Sequence, residues 1–118
     1  MKKSYHLSSC STCQRIIKEL GISEPEWTMQ DIKEKNIGAD VLDNLAIEHG
    51  SYEALFSKRA MKFRAMGLHQ KDVSEQEFRE LILSEYTFLK RPVIIVDEAS
   101  FVGNNKKVVE AAKAKLNE

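Results

Sequence analysis

No run of apolar residues in this 118-residue sequence approaches the length needed for a membrane-spanning helix, so no membrane is expected among its partners. There is no apolar signal segment either, which makes a cytoplasmic location the expectation. Neither sign of charge is in excess. The 18 basic residues balance the 18 acidic ones, which argues against direct nucleic-acid binding through a dominant basic surface. Repeats, low-complexity tracts and long linkers are all lacking, so residues 1–118 are expected to form one domain. That length suffices for a core unsupported by metal or disulfide. Cysteine is scarce. The chain has two, and both fall in Cys10-Ser11-Thr12-Cys13.

The surroundings of those cysteines carry most of the information. Ser4-Tyr5-His6-Leu7 suits a strand, and Cys13, Ile16, Ile17 and Leu20 recur at helical spacing on one face. Cys13 should therefore point into the core, while Cys10 sits at the helix start. There, free N–H groups and the helix dipole favour a thiolate. Cys-x-x-Cys between a strand and a helix reads as a thioredoxin-like redox motif. Three other readings compete. A zinc site needs two further ligands, and only His6, His49 and His69 are available, scattered singly. A fixed structural disulfide is at odds with the reducing compartment expected. Two inert cysteines remain the plainest alternative.

The rest of the chain alternates strand and helix signals. Gly21 is placed to end the first helix, and Glu26-Trp27-Thr28-Met29 suits a second strand parallel to the first. Asp31 to Lys35 is polar and should lead away from the sheet. Val41, Leu42, Leu45 and Ala46 fit a helix stopping at Gly50, and Ser51 can cap a short turn after it. In the segment from Ser57 to Gly67, helical spacing puts Phe63 and Met66 on one side. Its cations form either a solvated face or an anion holder, Arg59 being the candidate. Ser74-Glu75-Gln76-Glu77 is a capping box for a helix burying Phe78, Leu81 and Ile82. Pro92-Val93-Ile94-Ile95-Val96 is too short for a helix and rich in β-branched residues, hence a strand. Phe101-Val102 returns beside it. Gly103-Asn104-Asn105 caps a final helix with Val108, Val109, Ala112 and Leu116 on its apolar face. The class is α/β: β-α-β, helices from about 38 to 86, then β-β-α. This is the thioredoxin arrangement with a helical insertion.

Three segments together resemble the arsenate reductase/Spx family of thioredoxin-fold proteins. They are Tyr5-His6-Leu7-Ser8-Ser9-Cys10, the basic stretch from Leu55 to Leu68, and Leu89-Lys90-Arg91-Pro92-Val93-Ile94-Ile95 followed by Phe101-Val102-Gly103. The resemblance implies that Cys10 is the reactive cysteine and that Arg91 steadies its thiolate or holds an oxyanion. It also implies that Pro92 is a cis-proline, that Arg59 is a second cation, and that His6 is the histidine four residues ahead of the cysteine. A second cysteine, here Cys13, is typical of the Spx-type regulators. The reductases carry an arginine after the fourth strand, where this chain has Gly103.

The activity implied is that of a thiol–disulfide oxidoreductase of the arsenate reductase type, its Cys10 thiolate resolved by Cys13. Its substrate would be a small oxyanion or an oxidised thiol, its electron donor glutathione with glutaredoxin or thioredoxin, with no cofactor and no metal. The regulators instead bind the RNA polymerase α subunit, and Glu48-His49-Gly50 resembles part of that surface. A free cysteine of pKa about 8.5 is only a few per cent thiolate at neutral pH, and lowering it to about 7 requires about 2 kcal/mol. A helix N-terminus supplies only about 0.3–1 kcal/mol. A cation is therefore needed as well, and Arg91 is the choice.

Overall fold

The computed structural model describes all 118 residues. In chain order the elements are β1 (Lys2–His6), α1 (Ser11–Leu20), β2 (Thr28–Asp31), α2 (Ala39–His49), α3 (Met61–Ala65), α4 (Glu75–Ser84), β3 (Val93–Val96), β4 (Ala99–Val102) and α5 (Lys106–Leu116). Short 3-10 turns lie at Glu53–Leu55, Leu68–Gln70 and Tyr86–Phe88. Two compact units result. One comprises residues 1–35 and 91–118, the other residues 36–90.

The first unit is a four-stranded sheet of order β2-β1-β3-β4 with α1 and α5. β1 runs parallel to β2, from Lys3 opposite Thr28 to His6 opposite Asp31. It runs antiparallel to β3, which forms a hairpin with β4. The parallel pair needs the crossover that α1 provides. That helix forms because Cys13, Ile16 and Ile17 share one buried face. It stops at Gly21, whose φ of +70° suits a residue without a side chain. The Gly21 and Ile22 N–H groups close back onto Lys18 and Ile17, a two-bond C-cap whose apolar ends meet in the core. Ile17, Ile22, Trp27, Ile94 and Val96 are the centre of that core, with Leu20, Met29, Phe101 and Leu116 packed around it.

The second unit is helical and is organised by Phe56. Its ring stacks on Phe88 at 4.9 Å, tilts against Phe78 at 4.8 Å and meets Phe63 edge-on at 5.8 Å. Phe56 also bridges Leu89 as an isolated antiparallel pair, flanked by Ser57 N–H to Phe88 O at 2.7 Å and Lys90 N–H to Leu55 O at 2.9 Å. The interior of the inserted stretch is thereby tied to its carboxyl end. The capping box at Ser74 and Glu77 forms as its spacing requires, and Arg79 grips Asp43 with two bonds of 2.8 and 3.2 Å.

Several boundaries differ from the sequence reading. β1 starts and ends earlier, and β2 begins two residues later, because Trp27 belongs to the core ahead of the strand. Asp31 is the last residue of β2 instead of the start of a departing loop. Met66 does not share the buried face of Phe63. The helix ends at Ala65, Gly67 turns the chain at φ +70°, and Leu68 is buried instead, leaving Met66 55% exposed.

Phe56→Ala should destabilise the protein by about 3–5 kcal/mol, the range for emptying a buried aromatic site. Met66→Ala should stay within about 0.5 kcal/mol. Urea unfolding checks both, as a lowered midpoint at unchanged slope for the first and an overlay for the second.

Candidate functional site

At the carboxyl end of β1 the chain makes a tight turn, closed by Cys10 N–H to Leu7 O at 2.9 Å, and enters α1. Cys10 is the N-cap residue, extended at φ −92° and ψ 111°, and no side-chain oxygen caps the helix. The N–H groups of Thr12 and Cys13 in the first turn stay open and act on its sulfur. Cys10 is half-buried and Cys13, one turn on, is 0% exposed; both thiols are free. These are the two environments that helical spacing predicts for them.

The environments pull the two acidities apart. Burial alone would raise the Cys10 pKa. The N–H and thiol of Cys13, then the Arg91 guanidinium and the Thr12 N–H, outweigh it and hold Cys10 below the ordinary thiol value. For Cys13 burial dominates. The Leu7 N–H works against it, but the neighbouring Cys10 sulfur adds to it, and the pKa is pushed up to about 11. Arg91 favours the thiolate at both positions. One thiol is thus poised to lose its proton and the other to keep it.

Arg91 reaches this place because it lies two residues ahead of β3, the antiparallel neighbour of β1. The Arg91–Pro92 peptide bond is cis, and Pro92 is buried. The Pro92 carbonyl accepts the Gly103 N–H at 2.9 Å, closing the mouth of the β3–β4 hairpin. Gly103 has a φ of +97°, a conformation in which an arginine would be strained. His6 is the last residue of β1, 8% exposed, with Nε2 at 3.4 Å from Ser8 Oγ and with Nδ1 buried and lacking a hydrogen-bond partner. Cys10, Cys13, Arg91, Pro92 and His6 all belong to the first unit. Arg59 belongs to the second, exposed in the turn ahead of α3.

Two residues to which the sequence reading gave no role stand at the same strand end. Ser8 lies in the Cys10 turn, and its carbonyl accepts the Gln14 side-chain amide at 3.4 Å. Asp31 is the register partner of His6 on β2. The Ser8 hydroxyl is the largest influence on its carboxyl. With the N–H groups of Lys33 and Ser8 and the nearby His6, it holds Asp31 below the usual carboxylate range against the opposing effect of burial. Nothing local in the sequence marks this meeting, since it depends on the register of a parallel pair.

A parallel β-α-β unit, an antiparallel hairpin and a closing helix, with a dithiol at the first strand–helix junction, define a thioredoxin-like fold. The model of the ArsC family matches residues 5–112. The chain belongs to the ArsC family. It is 23% identical over 107 residues to the global transcriptional regulator Spx 2 of Bacillus anthracis, covering 89% of this chain and 81% of that one. Among solved structures it resembles a putative ArsC family related protein from Bacteroides fragilis, with a TM-score of 0.78 and 22% identity over 94% of this chain and 96% of that one. It also resembles a possible arsenate reductase from Streptococcus mutans UA159, with a TM-score of 0.68 and 25% identity over 90% and 92% of the two chains.

The acidities fix the expected pH dependence of alkylation. The thiolate is the reacting form, so a lowered pKa extends Cys10 reactivity to lower pH, whereas Cys13 should not react until the pH approaches about 11. Arg91→Ala removes a cation that favours the thiolate and should move the Cys10 profile to higher pH. Arg91→Lys should restore much of the shift. Iodoacetamide labelling of each cysteine across pH, read by mass spectrometry, checks all three.

Proposed function

We propose that the protein is a thiol–disulfide oxidoreductase of the arsenate reductase type, in which Cys10 attacks and Cys13 resolves. The observation that carries this reading is the pairing of a half-exposed thiol of lowered pKa with a fully buried thiol of raised pKa one helical turn away. In the first step the Cys10 thiolate attacks one sulfur of an oxidised thiol, R–S–S–R′. A Cys10–S–S–R bond forms and R′S⁻ leaves. In the second step Cys13, having lost its proton to solvent, attacks the Cys10 sulfur and expels RS⁻. The two departing thiolates take up protons, and the protein has given up two electrons as a Cys10–Cys13 disulfide. With a small oxyanion, the first step forms a thiol–oxyanion adduct with loss of water, and the second releases the reduced oxyanion.

The order of events is built into the electrostatics. While Cys10 is a thiolate it helps to hold the proton on Cys13. Once Cys10 is consumed in the adduct that charge is gone, and Cys13 becomes the more acidic for it. Arg91 is assigned the stabilisation of the Cys10 thiolate and the holding of an incoming oxyanion, with Pro92 and His6 as supports of the loop. The family resemblance adds Arg59 as a second cation, and Arg59→Ala in the same assay reads its share. Since Gly103 replaces the arginine that the reductases carry after the fourth strand, an oxidised thiol suits this chain better than arsenate.

Mild oxidation should remove two hydrogens from the wild-type mass, and Cys13→Ser should accumulate a one-to-one mixed disulfide with glutathione at Cys10. Turnover with glutathione and glutaredoxin, or with thioredoxin, identifies the donor. If both thiols remain separately alkylatable after oxidation, the resolving role assigned to Cys13 is wrong.

The likeness to Spx 2, named a global transcriptional regulator, supports a second reading in which the same disulfide alters a binding surface. Glu48, His49 and Gly50 close α2, with His49 Nε2 at 3.8 Å from Glu48 Oε2. Retention of the RNA polymerase α subunit, dependent on the oxidation state of the dithiol and without turnover, would favour this reading over the enzyme.

A further inference from the structure

The turn that delivers Cys10 to the helix is short, and its orientation decides where the sulfur points. Ser8 occupies the second position of that turn, between Leu7, whose carbonyl closes it, and Cys10, whose N–H completes it. Ser8 is the residue of the turn held from several directions. Its carbonyl accepts from Gln14, within α1 itself. Its hydroxyl oxygen lies 3.4 Å from His6 Nε2. Asp31 is the register partner of His6 on β2, its carboxylate within the influence of the Ser8 hydroxyl and N–H, and Ile32 N–H donates to His6 O at 2.9 Å to fix the two strands there. The Asp31 carboxylate is itself oriented by the Lys33 N–H at 3.0 Å on Oδ1.

We propose that Asp31 is a positioning residue for Cys10: through Ser8 it ties the reactive turn to the end of β2 and sets the orientation of the His6 ring. The inference rests on the dithiol reading above. With the Ser8 hydroxyl acting as donor toward the Asp31 carboxylate, as its lowering effect on that carboxyl implies, the Ser8 oxygen is left to accept. His6 then meets it with Nε2–H, and when the ring carries one proton that proton is on Nε2. The bare Nδ1, buried without a partner, agrees with this assignment. The carboxylate thus organises the turn, the hydroxyl relays the constraint, and Gln14 anchors the same residue to the helix that Cys10 caps.

Charge and position make opposite demands here, which makes the proposal testable by sign. The groups acting on Cys10 are Cys13, Arg91 and the Thr12 N–H; those acting on Asp31 are Ser8, Lys33 and His6. If Asp31 acted on Cys10 only as a negative charge, removing it would lower the Cys10 pKa. If it positions the turn, removing it loosens the sulfur from the N–H groups at the helix start, and the pKa rises. Asp31→Ala should therefore shift the Cys10 alkylation profile to higher pH by about one unit, equivalent to losing a good part of its thiolate stabilisation. Asp31→Asn, which keeps an oxygen for Ser8, should recover much of the shift. Ser8→Ala should shift it in the same direction and by less, since the backbone N–H remains. In nitrogen-15 spectra the His6 Nε2–H proton should exchange with water faster in Ser8→Ala and Asp31→Ala than in wild type, a signature that a general loss of stability would not confine to one ring.

The experiment is the full-length protein, reduced, with alkylation profiles and His6 spectra for each variant and circular dichroism to confirm folding. A profile that overlays wild type or moves to lower pH, or an unchanged His6 exchange rate, overturns the proposal. Should Asp31→Ala fail to fold, Ser8→Ala decides alone, because Ser8 is exposed and its hydroxyl is the relay. Loss of the proposal with Cys10–Cys13 disulfide formation intact leaves the dithiol chemistry standing. Absence of that disulfide in the wild type removes the dithiol chemistry, while the Cys10 profile still tests Asp31.

Discussion

A helix cannot begin without leaving N–H groups unanswered, and α1 leaves its own open beside a sulfur instead of closing them with an oxygen. Most helices place serine, threonine, aspartate or asparagine at that position, as α4 does with Ser74 and α5 with Asn105. Putting cysteine there trades a neutral cap for one that works best when it is charged. Everything around the first turn follows from that exchange. The Cys13 thiol is available as a donor because burial keeps its proton on. Arg91 is available because β3 lies against β1. A residue of this kind is a reactive group by construction, since the lone pairs that the helix N–H groups stabilise are those that attack a disulfide.

The unit that holds this cap is tied down by backbone geometry more than by surface ion pairs. The exposed pair Arg15–Glu19 along α1, at 3.7 Å, belongs to a class that adds little. The constraints that matter are the parallel register of β1 on β2, the hairpin closed by Gly103 on Pro92, and the two-bond stop at Gly21. These fix the position of the β1–α1 junction from below, from one side and from the far end of the helix. Apolar packing of Ile17 and Ile22 against Trp27, Ile94 and Val96 then makes the arrangement cooperative.

What could be read from the chain was local. The buried face of α1, its glycine stop, the capping box of α4, the β-branched strand after Pro92 and the asparagine cap of α5 each lie within a few residues of their cause. So does the contrast between Cys10 and Cys13, which follows from a spacing of three on a helix. The spacing rule places Met66 beside Phe63 only if the helix runs up to its glycine stop at Gly67, and the helix ends at Ala65 instead. Trp27 drew the second strand two residues too early, because a buried aromatic looks the same to an alternation pattern whether it lies in a strand or just ahead of it. Asp31 was out of reach altogether. Its meeting with His6 and Ser8 joins residues more than twenty apart through a parallel pairing, and no local pattern encodes a register set by a crossover.

The left-handed backbone at Gly103 bears on how a chain like this one could acquire a different substrate. A guanidinium introduced at that position would have to overcome an unfavourable φ and would risk the N–H contact that shuts the hairpin. Its exposed neighbour Asn104 carries neither constraint. Enlarging the charge that greets an incoming anion is therefore easier one residue downstream than at the position that sequence alignment would suggest. A library of variants seeking oxyanion turnover would do better to leave the glycine alone and vary the residue after it.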